Sequence, residues 1–219
     1  MLSDILKWGA KRPDRPSGDQ SVAVRDEPVV VSKGFPKFLN NLTQQPSPVL
    51  LDFGPVIGTN VEYFGERLVC KLFIEDLLAD IDRHMKAGTL DQLPAAVEKR
   101  FRHGDSSVDG ILCWDLFDFL DKNSAQALAK QIVRMLRPGG IVMAFFCSLP
   151  VEKSPFTKFE IVDDHSLRHR QHSGPGGLKR VLQNRDIIRM FEGLSVADSF
   201  LLKGGAREML LRRNQPATI

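Results

Sequence analysis

Apolar residues in the first two thirds of this chain fall mainly into short continuous runs, each about the length of one strand. Val49 to Phe53, Leu68 to Ile74, Gly110 to Trp114 and Ile141 to Cys147 are such runs, bounded by proline, glycine or acidic residues. Continuous rather than alternating apolarity is what a strand covered on both faces requires, as in a parallel sheet under helices. Between the runs the apolar period changes to three or four residues. Helices are predicted over Phe35 to Gln44, Leu77 to Met85, Leu93 to Phe101 and Ala125 to Leu136, the last with Ser124 as its N-cap and Leu128, Ile132, Val133 and Leu136 as its apolar stripe. Arg137-Pro138-Gly139-Gly140 stops that helix. A short helix follows over Asp186 to Phe191, and Leu194 to Leu202 with Glu208 to Arg212 reads as a hairpin turning through Lys203 to Arg207. Strands separated by helices, then a hairpin, predict one α/β domain: a doubly wound, mostly parallel sheet with a C-terminal antiparallel hairpin.

Residues 9 to 33 break this regularity. They are rich in charged residues, proline, serine and glycine without a sustained period, and read as a linker. Ahead of it Leu2, Ile5, Leu6 and Trp8 share one helical face. The expected organisation is an N-terminal arm over 1–33 and a single domain over 34–219, because 219 residues with 42% apolar content close one sizeable core. The net charge of +3, set by 30 basic and 27 acidic residues, gives no overall field for nucleic acid. Cys70, Cys113 and Cys147 lie in separate apolar runs without metal or disulfide spacing and read as reduced core thiols. No apolar segment approaches the ~20 residues that span a bilayer, and the first residues lack a secretory core, so a cytoplasmic location is expected.

Candidate chemistry concentrates between Val49 and Asp76. The first run breaks into Asp52-Phe53-Gly54-Pro55-Val56-Ile57-Gly58-Thr59-Asn60, and the second ends in Glu75-Asp76. A buried strand, a glycine turn, a helix start and a second strand ending in a carboxylate are the parts of a nucleotide-type cofactor site. Three further stretches follow in order: Asp109-Gly110-Ile111-Leu112-Cys113-Trp114-Asp115, Met135 to Gly140, and Arg207 to Arg213. With the first they resemble, over about residues 48 to 213, the class I S-adenosylmethionine-dependent methyltransferases, a Rossmann-like family.

That resemblance implies S-adenosylmethionine as cofactor and a set of contacts for it. Asp52, Gly54, Gly58 and Asn60 would hold the methionine end, Glu75 or its neighbour Asp76 the ribose hydroxyls, and Trp114 with Asp115 the adenine. Each has a plainer alternative: Asp52 can satisfy turn amides, Glu75 or Asp76 can cap the next helix, and Trp114 can be core. The chain also departs from the family. Val56 replaces the middle glycine, Pro55 removes an N–H, and no third parallel strand is visible between Met85 and Asp109. In the family's strand order, 3-2-1-4-5-7-6, that strand is outermost, so its loss spares the interior and makes the second strand an edge, which Lys71 in the middle of that run fits. Asp105 is the substitute for its adenine contact.

Other constellations are weaker. His165, His169 and His172 have metal-like spacing but sit beside Ser173-Gly174-Pro175-Gly176-Gly177 and read as a solvated loop. The basic cluster of Lys179, Arg180, Arg185 and Arg189 lacks interleaved aromatics and reads as ordinary surface. Phe156 to Leu178 is where a lid over the acceptor is expected. No hydrolase elbow or Walker loop occurs, and without G-x-G-x-x-G a nicotinamide enzyme is the least favoured reading. Two readings lead. One is a methyltransferase acting on a small-molecule acceptor, and the other a non-catalytic methyltransferase-like partner or regulatory domain with a degenerate cofactor site. Oligomeric state is not encoded in these patterns.

Overall fold

The computed structural model describes residues 27–171 and 177–215. In chain order the elements are β1 (Val29–Val31), α1 (Phe35–Leu42), β2 (Val49–Asp52), α2 (Gly58–Leu68), β3 (Lys71–Ile74), α3 (Leu77–Ala87), α4 (Leu93–Arg100), β4 (Val108–Trp114) and α5 (Lys122–Met135). They continue as β5 (Leu136–Cys147), β6 (Val151–Ser154), β7 (Thr157–Asp163), β8 (Ser166–Gln171), β9 (Gly177–Lys179), α6 (Asn184–Met190), β10 (Leu194–Leu201) and β11 (Ala206–Arg213).

The main sheet has six strands in the order β10-β11-β5-β4-β2-β3. Strands β3, β2, β4 and β5 are parallel, while β11 and β10 are antiparallel to their neighbours. This is the doubly wound α/β fold the sequence predicts, with β3 at one edge. No strand forms between Met85 and Asp109 among the described residues; a 3₁₀ turn, Leu90–Gln92, and α4 occupy that stretch. Both faces are covered. Helices α3, α4 and α5 pack on one face around Leu51, Ile111 and Val142, and α1 and α2 on the other around Leu50, Leu112 and Met143.

Several boundaries differ from expectation for identifiable reasons. The run Leu68 to Ile74 is only half strand: buried Leu68 anchors the end of α2, and Val69 closes that helix in the left-handed region, at φ 45°. Asp121, not Ser124, caps α5, accepting from the amides of Asn123 and Ser124. Strand β5 begins before the Pro138-Gly139-Gly140 turn and runs through it, with Gly139 at φ 81°. Asp109 stitches the base of the sheet, accepting the Val49 amide at 2.8 Å and two bonds from Arg137 at 2.9 Å each. Glu208 on β11 does the same for α1, accepting the amides of Lys33 and Gly34 at 2.9 and 2.7 Å.

A second, separate sheet lies on the α1–α2 side: β1-β8-β7, antiparallel throughout. It corrects two expectations. Strand β1 lies within residues 9–33, read as linker, so the ordered fold reaches back to it; the apolar face of Leu2 to Trp8 lies outside the described residues. Ser166–Gln171, read as solvated loop, is strand β8, with Leu167 buried. The buried stretch of β7 is short: Phe159, Glu160 and Ile161 are buried while Val162 and Asp163 are exposed.

Candidate active site

The carboxyl ends of three parallel strands meet where the sequence places them. Asp52 ends β2 and lies in register with Ile74 of β3 and Leu112 of β4, so Glu75 and Trp114 follow on either side of it. The amide of Glu75 donates to the Asp52 carbonyl at 2.8 Å and that of Phe53 to the Leu112 carbonyl at 3.0 Å. The turn Gly54 to Ile57 then feeds α2, whose first residue is Gly58, with open space where a side chain would project.

What the side chains do there differs from the expected assignment. Asp52 is buried, and its Oδ1 accepts from the Gly54 amide at 2.8 Å and from the Trp114 indole Nε1–H at 2.6 Å. Burial pushes its pKa up to about 6, against those two donors, which pull it down. Trp114 ends β4 in the left-handed region at φ 49°, a conformation that costs free energy in a bulky residue. It turns the indole over Gly54, and a Cβ placed on Gly54 would lie 2.8 Å from that ring. Trp114 is packed by aromatic rings as well: Phe159 of β7 stacks on it at 5.0 Å and Phe145 lies parallel to it at 6.4 Å. Trp114 was expected to offer a face for adenine; it is packed core, the alternative that three preceding apolar residues favour.

Asn60 is likewise committed. Its amide nitrogen donates to the Phe159 carbonyl and its oxygen accepts the Ile161 amide, both at 2.8 Å, so it pairs with β7 as a strand would. Asp76 caps α3, accepting the Ala79 amide. Glu75 is partly exposed and faces His103 at 3.2 Å and Arg100 at 3.4 Å. Asp105 is exposed and paired with Arg134 at 2.8 Å. Val56, expected to crowd the turn, is 68% exposed; the crowding over Gly54 comes from Trp114 instead.

Asp115, expected at the adenine, belongs to a polar group beside Trp114 whose other members, Asp118 and Lys179, sequence reasoning did not assign to the site. Asp115 is buried and its Oδ2 accepts from Lys179 of β9 at 2.7 Å, while its Oδ1 has no partner. Asp118, on the 3₁₀ turn Leu116–Phe119, receives the Cys147 amide on both oxygens at 3.0 and 3.1 Å. Burial pushes Asp118 up to about 7, and the Cys147 thiol beside it up to about 11. The spacing Asp115-x-x-Asp118 was the available signal; Lys179, far along the chain, gave none. His169, half-buried, packs edge-on to Phe159 at 4.8 Å, and burial lowers its pKa. His172 lies outside the described residues, and among those described no cluster of histidine, cysteine and carboxylates is suited to a metal. No described helix is long and apolar enough to cross a membrane.

S-adenosylmethionine, the donor implied by the resemblance, carries an amino acid, a sulfonium and a nucleoside. With Trp114 against Gly54, and Asn60 and Asp52 both bonded internally, this arrangement does not fit the amino-acid end. Among the proposed carboxylates Glu75 and Asp76 are partly open, while Asp52 and Asp115 are buried.

Comparison with known proteins bears on the fold and the family. No curated protein matches the chain. Similar solved structures include the Burkholderia thailandensis 1,6-didemethyltoxoflavin-N1-methyltransferase, with 1,6-didemethyltoxoflavin and S-adenosylhomocysteine bound. It is 16% identical, with 84% of this chain and 78% of that one aligned and a TM-score of 0.49. An S-adenosylmethionine-dependent methyltransferase from Mesorhizobium loti is 12% identical, covering 80% and 95%, with a TM-score of 0.48. Another from Aquifex aeolicus is 13% identical, covering 80% and 87%, at 0.46. At such scores the likeness assigns no role to any residue here. A family model described as a methyltransferase domain, however, matches residues 51–144, from β2 into β5, which holds the glycine turn, the second-strand carboxylates and the fourth-strand motif. Over that segment, which is less than half of its length, the chain is similar to the methyltransferase-domain family.

Proposed function

We propose that this protein is a cytoplasmic methyltransferase that passes a methyl group from S-adenosylmethionine to a small-molecule acceptor. The observation that carries this reading is the convergence of Asp52, Glu75 and Trp114-Asp115 at the ends of three adjacent parallel strands, within the segment matched as a methyltransferase domain. Open α/β sheets bind their ligands at such carboxyl ends. Asp52, Gly54, Gly58 and Asn60 are proposed for the amino-acid end once the indole leaves Gly54 and the internal bonds of Asp52 and Asn60 are released, and Glu75 in preference to Asp76 for the ribose, because Asp76 is spent on a helix cap. The sulfonium supplies an already activated methyl, so orientation rather than a dedicated catalytic side chain is the protein's main task. The small net charge and the aromatic-poor basic segment support a small molecule over a nucleic acid. The buried group Asp115, Lys179 and Asp118 beside Trp114 suits an acceptor with hydrogen-bonding groups.

A second reading, a non-catalytic partner or regulatory domain, is favoured by one observation, the indole seated on Gly54. Titration calorimetry separates the two. Binding of S-adenosylmethionine or S-adenosylhomocysteine is expected at micromolar to millimolar concentration; absence of heat from either at millimolar concentration defeats the enzyme reading.

A further inference from the structure

The pair β7–β8 is positioned over the turn that the donor would need, and the ties that hold it there run to one helix. Asn60, near the start of α2, bonds the backbone of Phe159 and Ile161. Thr59 reaches Glu160 at 3.4 Å. One turn on, the Tyr63 hydroxyl donates to Asp164 at 2.6 Å, and a further turn on Arg67 pairs with the same carboxylate. Asp164 lies in the turn between β7 and β8, so the contacts line up along α2 from the hollow outward.

The same pair fixes Trp114. Phe159 stacks on the indole with planes 6° apart, and the indole in turn covers Gly54 and donates to Asp52. Lifting β7 takes Phe159 off Trp114, leaving Phe145 as its stacking neighbour, and removes the internal bonds of Asn60, which frees one group proposed for the donor's amino-acid end and loosens the indole that covers another, Gly54. The pair is not woven into the main sheet. Among the described residues its strands pair only with each other and with β1 in a separate three-stranded sheet, so it can leave α2 without breaking the strand pairing that forms the hollow. Lifting it exposes Phe159, Ile161 and Leu167, which are buried in this arrangement, so the shut form is favoured in the absence of ligand.

We infer that the β7–β8 hairpin is an autoinhibitory strap: clamped on α2, it holds Trp114 against Gly54 and keeps the donor hollow shut, so that donor binds only after the strap lifts. This rests on the methyltransferase reading above. A ligand that binds only an open minority form shows an affinity reduced by the open fraction, so loosening the strap tightens apparent binding.

The test uses the full chain and S-adenosylhomocysteine as probe, by calorimetry, on wild type, Asp164→Ala and Phe159→Ala. Asp164→Ala cuts the ties to Tyr63 and Arg67 at a partly exposed corner and leaves every proposed donor contact intact. Because Phe159 is buried and its variant can fail to fold, Asp164→Ala carries the test alone if needed. The expected result is at least tenfold tighter binding by Asp164→Ala than by wild type, with faster amide exchange across Thr157–Asp163. Equal affinity in all forms overturns the strap and leaves the methyltransferase reading standing. Loosened exchange without binding by any form at millimolar probe overturns the donor site itself, and the strap's role with it.

Discussion

Gly110→Val destabilises the domain by about 3 kcal/mol or more, lowering the melting temperature by roughly 10 °C. Gly110 lies in the centre of β4, under α1, where a Cβ would come within 2.7 Å of Leu42 and 3.1 Å of Phe38. Both neighbours are fully buried, so neither side chain can swing into solvent to make room. Valine favours strands and removes the ~0.5–1 kcal/mol backbone-entropy cost of a strand glycine, but that gain is smaller than the overlap it creates. Urea unfolding followed by circular dichroism measures the loss. The cause is checked by adding Leu42→Ala, which vacates the contested volume and alone costs about 2–5 kcal/mol. The pair is expected to lose at least ~1 kcal/mol less than the two single losses added together. Strict additivity would mean that α1 does not rest on the backbone of β4.

That contact shows which parts of the fold could be read from the chain. The parallel strands announce themselves through local runs such as Leu50-Leu51 and Ile111-Leu112, buried on both faces, and the edge through exposed Lys71. Strand β1 could not be seen in this way. Val29–Val31 is a strand only because β8, far along the chain, pairs with it, and three valines beside a charged stretch carry no period of their own. Strands β7 and β8 are similar, since only Phe159, Ile161 and Leu167 point inward among charged neighbours.

The candidate site was legible as positions and illegible as contacts. Topology fixes that Asp52, Glu75 and Trp114 end adjacent strands, so their proximity follows from the order of the motifs. Whether Trp114 faces a ligand or fills the hollow depends on a left-handed backbone at that residue and on a hairpin packed from elsewhere, and neither leaves a local mark. Asn60 is the same case: an asparagine near a helix start reads as a cap or ligand, yet its partner is the backbone of β7. The sequence's own irregularities at Pro55 and Val56 pointed to the right turn for the wrong reason, because the obstruction is an indole 60 residues onward rather than the β-branched side chain.

Asp118 makes the stability of the domain fall as pH rises from about 4 to about 7. Its carboxyl is held at about 7 in the fold against an ordinary 3.8, chiefly by burial, with Asp115 adding to the rise and the Cys147 amide and Lys179 opposing it. Between those values the folded chain keeps a proton that the unfolded chain has released. Folding therefore binds protons in that window, and stability declines as they are removed. A separation of roughly three units corresponds to about 4 kcal/mol as a ceiling. Asp52, raised to about 6 by burial, acts in the same direction over the lower part of the window. Asp118→Asn isolates the larger contribution, since asparagine stays neutral and its oxygen can still accept the Cys147 amide. The variant and wild type are expected to be similar near pH 4, and the variant to gain steadily on wild type up to pH 7, then hold a constant lead. Urea midpoints at half-unit pH steps measure the difference directly. A lead that shrinks with rising pH would mean that Asp118 is held as a carboxylate by Lys179 rather than as an acid by burial, since a carboxyl lowered by its partner stabilises the fold only once it is ionised.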